Sequence, residues 1–90
     1  MVKRREAGKR SNVLLDEVDL DILKILHKSD KELSIGDVQD MLNMSHVSFK
    51  VHVRRLIALK FITKERLPKK FKFILIILPK GKEIVRVFEN

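Results

Sequence analysis

The hydrophobic period of the chain changes at Phe61, and that change limits the fold more than any other feature. Upstream, apolar residues recur at the three- and four-residue spacing of helices; downstream they alternate or run together over strand lengths. Asp16 is placed to cap the free amides of a first helix, and Asp19, three residues on, reaches back as in a capping box. Leu15, Val18, Ile22, Ile25 and Leu26 form its apolar stripe; acids crowd its start, and Lys24 and Lys28 lie toward its end, as the helix dipole favours. Residues 29–32 break the pattern. A brief strand is expected around Leu33, then a short second helix opening at Ser34, with Asp37 at the capping-box spacing and Val38, Met41 and Leu42 on its apolar face, ending by Asn43. A third helix follows almost at once over about 45–59, capped by Ser45, with Phe49, Val53, Leu56 and Ile57 facing inward. Two helices joined by about three residues cross steeply, because the connection is too short for an easy antiparallel pair.

Past Phe61 the chain reads as a hairpin: residues 61–66 as a strand, 67–70 as a turn and 71–78 as the returning strand, which Pro79 stops. Proline also suits the first turn of a helix, and residues 80–89 carry Ile84, Val85, Val87 and Phe88 at helical spacing. The expected order is helix, short strand, helix, helix, strand, strand, helix. This is an α+β chain with a three-helix core, a small antiparallel β-wing and a C-terminal helix.

Ninety residues, 44% of them hydrophobic, make one core. We expect a domain over 14–90 behind a flexible basic arm at 1–13. The absence of cysteine excludes a disulfide framework, a cysteine zinc site and a thiol nucleophile. The longest apolar run, 73–78, is strand-sized and far short of the roughly 20 residues that span a bilayer. The start lacks the apolar stretch of a secretion signal, so a cytoplasmic, nucleoid-associated protein is expected.

Charge is distributed unevenly. The chain carries a net +8: residues 1–10 hold five basic groups and one acid, 11–42 three basic groups and eight acids, and 43–90 twelve basic groups and three acids. Such segregation fits a polyanion against one face, nucleic acid or an anionic membrane. The basic tail lacks the apolar residues an interfacial helix would bury, which leaves nucleic acid.

At 100° per residue, Val47, Lys50, Val51 and Arg54 share one face of the third helix, apart from the inward Phe49, Val53 and Leu56, with His46 and Arg55 on its flanks. Lys50 and Arg54 can donate to guanine edges or phosphate, and a valine methyl can pack on thymine. Val47 and Val51 have a second reading, packing against the wing or a neighbouring subunit. Ser45 and Ser48 stand in the first turn, where hydroxyls and free amides can meet a phosphate; capping alone also accounts for Ser45. In the hairpin, Lys64, Arg66, Lys69, Lys70 and Lys72 set five basic groups against Glu65, more than a solvated turn needs, and fit a wing (64–72) gripping the phosphate backbone.

The stretch from Leu42 through Asn43, Met44 and Ser45, ending in the pair Arg54-Arg55, Leu56, Leu59 and Phe61-Ile62, resembles the recognition-helix signature of prokaryotic winged helix-turn-helix transcription regulators. Leu15-Asp16-Glu17-Val18-Asp19 is similar to the opening of Lrp-type regulators, and Leu78-Pro79-Lys80-Gly81-Lys82-Glu83 resembles the segment after the wing in MarR-like ones. The likeness covers about 15–83 and implies a winged helix that reads double-stranded DNA. Where relatives of this fold place glycine, this chain has Lys60. Lrp-type proteins carry a second, ligand-binding domain, and MarR-type proteins have longer terminal helices that form their dimer and effector pocket, so no small-molecule effector is expected here.

Residues 73–78 are apolar on both faces, yet a winged domain puts helices on only one side of its sheet. The last helix can cover the other face, or it can join a two-fold homodimer through Ile76, Leu78, Ile84, Val87 and Phe88, the usual way to read a palindrome. No enzyme, cofactor or metal is expected. His46 and His52, six residues apart on one helix, do not share a face; His27 suits a helix C-terminus; and phosphate-binding and dinucleotide glycine loops are missing from the sequence. The sequence therefore reads as a sequence-specific, DNA-binding transcription regulator. The competing reading is a winged protein-interaction module in a transcription or replication assembly.

Overall fold

The computed structural model describes residues 15–68 and 72–89. The expected basic arm, Lys69 and Lys70 lie outside them. The elements are α1 (Glu17–Lys28), β1 (Leu33–Ser34), α2 (Ile35–Leu42), α3 (His46–Ala58), β2 (Ile62–Leu67), β3 (Lys72–Ile77) and α4 (Pro79–Glu89). The order is the expected one, with strand ends moved by a residue or two.

Local chemistry sets the first two helix starts. Asp16 Oδ1 accepts from the Asp19 amide at 2.9 Å, and Asp19 Oδ2 accepts from the Asp16 amide at 3.1 Å; Ser34 and Asp37 repeat the exchange at 3.0 and 2.9 Å. Each reciprocal pair satisfies two amides that a helix N-terminus leaves open. α2 ends where Asn43 takes the left-handed conformation at φ 54°, which asparagine tolerates better than most residues.

α3 ends differently. Lys60 stands at φ 66°, its amide donates to the Ile57 carbonyl at 2.9 Å, and the Phe61 amide donates to Leu56 at 3.0 Å. This paired pattern is a Schellman motif, with buried Phe61 and Leu56 as its apolar contact. The position is thus left-handed, and lysine occupies it at a steric cost.

The core gathers Ile22, Leu23 and Leu26 of α1, Val38 of α2, Phe49, Val53 and Leu56 of α3, Phe61, Ile62 and Leu75 from the hairpin, and Val85 of α4. Each large apolar side chain fully buried there contributes about 1.5–3 kcal/mol. Met41 departs from expectation at 59% exposure. The short α2 is held by Ile35, Val38 and Leu42, which leaves Met41 on its outer edge among Lys31, Asp37 and Asp40.

The sheet is antiparallel in the order β1-β3-β2, with Leu33 opposite Leu75 and Ile62 opposite Ile77. β3 is therefore central, paired along both edges. Ile74 and Leu75, on opposite faces, are both buried, and Ile76 and Ile77 are half-buried. α4 packs against α1, with Val85 inward. It starts close to the end of α3. Phe61 O accepts from the Leu78 amide at 2.9 Å, Lys80 Nζ donates to Leu59 O at 3.2 Å, and a Cβ placed on Gly81 would lie 2.4 Å from Phe61 O. Only glycine fits that approach.

Candidate nucleic-acid interface

α3 presents its expected outer face to solvent. The inward set Phe49, Val53 and Leu56 is buried; Ser45, His46, Ser48, Lys50, Arg54 and Arg55 are exposed, as are Val47 at 75% and Val51 at 54%. Neither the wing nor any other described part of the chain covers the two valines, which leaves solvent or a partner for them. Ser45 is the N-cap, its Oγ accepting from the Ser48 amide at 3.2 Å. That bond removes one amide from those available to an anion and leaves the Ser48 hydroxyl at the surface.

The turn before α3 is held by a residue that sequence reasoning missed. Gln39 of α2 donates through Nε2 to Met44 O at 3.2 Å, and its Oε1 lies 3.4 Å from His46 Nδ1. It thus spans the three-residue connection from one side. A glutamine on a short helix gives no sequence signal for this, because its partners lie across a turn.

The strand register divides the wing's basic residues. Lys64 and Arg66 stand opposite Leu75 and Phe73, on the face that carries Leu75 to the core; Lys72 stands opposite Leu67, on the reverse face. Lys64 Nζ lies 4.7 Å from the Phe73 ring centre, a cation–π contact that steadies it. The same lysine closes a cavity of about 200 Å³ with His46, Lys50 and Arg54 over a floor of Ile35, Phe49, Val53 and Ile57. Four basic residues from the helix and the wing therefore converge on one concavity. Lys72 instead adds to the field on Asp37, whose carboxyl is held below the usual carboxylate range by the Ser34 amide and hydroxyl first and by Lys72 and Lys31 after them. Arg66 and Lys72 are exposed.

On the other flank of α3 the structure assembles a polar cluster absent from the sequence reading. Asp19, fully buried, receives His52 Nδ1 at 2.8 Å on Oδ1 and faces Arg55 at 3.5 Å on Oδ2; Asp16 Oδ1 is 3.7 Å from His52. Asp16 is held below the usual range chiefly by its hydrogen bond from the Asp19 amide, with His52 and Arg55 assisting. Asp16, Asp19 and His52 offer donor atoms within 4.8 Å of one another. Their oxygens already accept N–H groups, and Arg55 supplies the positive charge that a metal ion would bring. Arg55, expected to face DNA, thus has an internal partner while remaining partly open.

Of the residues expected at a dimer contact, Ile76, Leu78 and Ile84 are half-buried, whereas Val87 at 68% and Phe88 at 56% stand exposed. Among the described residues no helix is long and apolar enough to cross a membrane.

The sequence profile of the family described as winged helix-turn-helix DNA-binding matches residues 15–63, over half of the chain. The chain belongs to this family. The matched segment runs from the α1 cap to the start of β2 and so contains both the helix-turn-helix and the basic face of α3. No curated protein sequence matches the chain. Among solved structures, the chain resembles MepR from Staphylococcus aureus in complex with DNA (14% identity, TM-score 0.79, covering 94% of this chain and 68% of that one). It also resembles MepR described as a transcription regulator of the multidrug efflux pump MepA (16%, 0.78, 91% and 61%). A third likeness is to a transcriptional regulator from Thermotoga maritima (22%, 0.76, 94% and 59%). At these identities the likeness shows a shared fold. The chain spans about 60% of the length of several of these regulators.

Proposed function

We propose that this protein is a transcription regulator that binds double-stranded DNA in a sequence-specific manner, laying α3 in the major groove and the wing on the adjoining backbone. The observation that carries the reading is the open face of α3. Lys50 and Arg54 stand in solvent beside Val47 and Val51, on a helix whose opposite side is core. A major groove admits one α-helix, and cationic donors flanked by methyl groups match the edges it displays. Lys64 and Arg66 extend the positive surface along the wing, where contacts to phosphate fix register without reading bases. Lys69 and Lys70 belong to the same proposal by their place between the two strands. Similarity to a regulator solved with DNA supports the DNA-binding reading.

The reading includes a homodimer. Val87 and Phe88 expose apolar surface on α4, and Ile76, Leu78 and Ile84 are only half covered. A two-fold pair would bury such surface and place two α3 helices on a palindrome.

Selection of bound duplexes from a random pool tests both parts. The proposal expects enrichment of a palindromic site, bound with an affinity that falls steeply with salt. Failure to enrich any sequence, with no shift of mixed duplex DNA in a gel, would overturn it in favour of a protein-interaction module. A monomer mass by light scattering at micromolar concentration would remove the dimer alone.

A further inference from the structure

We propose that His52 is a positioning residue for DNA binding, acting through Asp19 to latch the recognition helix to the N-terminus of α1. The proposal rests on the DNA-binding reading above and concerns how the binding helix is held. His52 and Arg55 lie three residues apart on the same flank of α3, and both reach one carboxylate, Asp19, at 2.8 and 3.5 Å. Asp19 is fully buried and is itself fixed, because its Oδ2 completes the α1 capping box. The recognition helix is therefore pinned at two points to the rigid start of another helix.

The inward face of α3 between its ends is otherwise seated by apolar contacts. Phe49, Val53 and Leu56 hold α3 down by packing, an attraction that has no preferred direction of its own. A hydrogen bond at 2.8 Å is directional and weakens steeply when bent. The latch thus sets the tilt that brings Lys50 and Arg54 into line with Lys64 on the wing, the three sharing one cavity wall.

The latch has a defined set of partners. The groups facing His52 are Asp16 and Asp19 from α1 and Arg55 from α3. A carboxylate only accepts, so Nδ1 carries the hydrogen toward Asp19.

The test is duplex binding by His52→Leu and His52→Asn beside the parent. Thermal melts are recorded for each variant, and binding is measured well below the melt. We expect His52→Leu to bind at least tenfold more weakly than its parent. His52→Asn, whose amide nitrogen takes the place of Nδ1 and can still donate to Asp19, should stay within threefold of the parent. A folded His52→Leu that binds like its parent, or a folded His52→Asn that binds as weakly as His52→Leu, would overturn the latch. A parent that binds no DNA would instead defeat the functional reading beneath it.

Discussion

Replacing Gly81 with alanine should loosen the seam between α4 and the end of α3. The new Cβ would lie 2.4 Å from Phe61 O and 2.9 Å from Ile77 Cγ1. The carbonyl cannot step aside freely, since the Phe61 amide is tied to Leu56 and Phe61 O holds the Leu78 amide. Relief therefore requires the start of α4 to back away by the better part of an ångström. That movement strains the Leu78 hydrogen bond, worth about 0.5–1.5 kcal/mol, and unseats Val85 from the core. Overpacking of this kind costs about 1–3 kcal/mol, while alanine recovers at most about 1 kcal/mol of helix propensity over glycine. With the strained hydrogen bond included, the net expectation is a loss of roughly 1–3 kcal/mol, which lowers Tm by about 4–8 °C per kcal/mol in a domain of this size. Urea and thermal unfolding of Gly81→Ala beside the parent read it directly. A variant as stable as the parent, or more so, would refute the close approach of α4 to Phe61.

The opposite substitution is expected at Lys60, where Lys60→Gly relieves a left-handed lysine costing about 1–2 kcal/mol and adds about 0.5–1 kcal/mol of unfolded-state entropy, for a net gain of roughly 0.5–1 kcal/mol in urea unfolding. Asp16 and Asp37 have folded pKa values below their ordinary 3.8. Their contribution to stability is therefore complete above that value and is lost as pH falls through the lowered folded values. Chemical denaturation should show this decline below about pH 4, and Asp16→Asn and Asp37→Asn should each flatten it. Lys64→Ala should weaken binding to all duplexes alike and reduce the salt slope of log K by about 1; a change confined to one sequence would place Lys64 on a base instead.

What the sequence made legible was what local chemistry decides. The two capping boxes are each complete within four residues, and the inward face of α3 follows from helical geometry alone, so Asp16, Ser34, Phe49, Val53 and Leu56 fall where expected. Contacts between distant parts of the chain were not legible. Asp19 showed its capping role, but its bond to His52 spans 33 positions. Asking only whether His46 and His52 share a face left Asp19 out of view. The wing's lysines appeared as one basic cluster until the register put Lys64 and Lys72 on opposite faces. Gly81 carried no visible demand, because the oxygen that requires it belongs to Phe61. The apolar run of β3 left open what covers it, and pairing with β1 on one edge and β2 on the other makes it the central strand.

The central claim, that Arg54 reads bases in the groove, is tested most directly by one comparison. The dissociation constants of Arg54→Ala and its parent are measured for the selected site and for an unrelated duplex at the same salt. Loss of one base contact, about 1–3 kcal/mol, predicts roughly a tenfold to hundredfold weakening on the selected site and a much smaller change on the other. Equal weakening on both duplexes, or none on either, would contradict it.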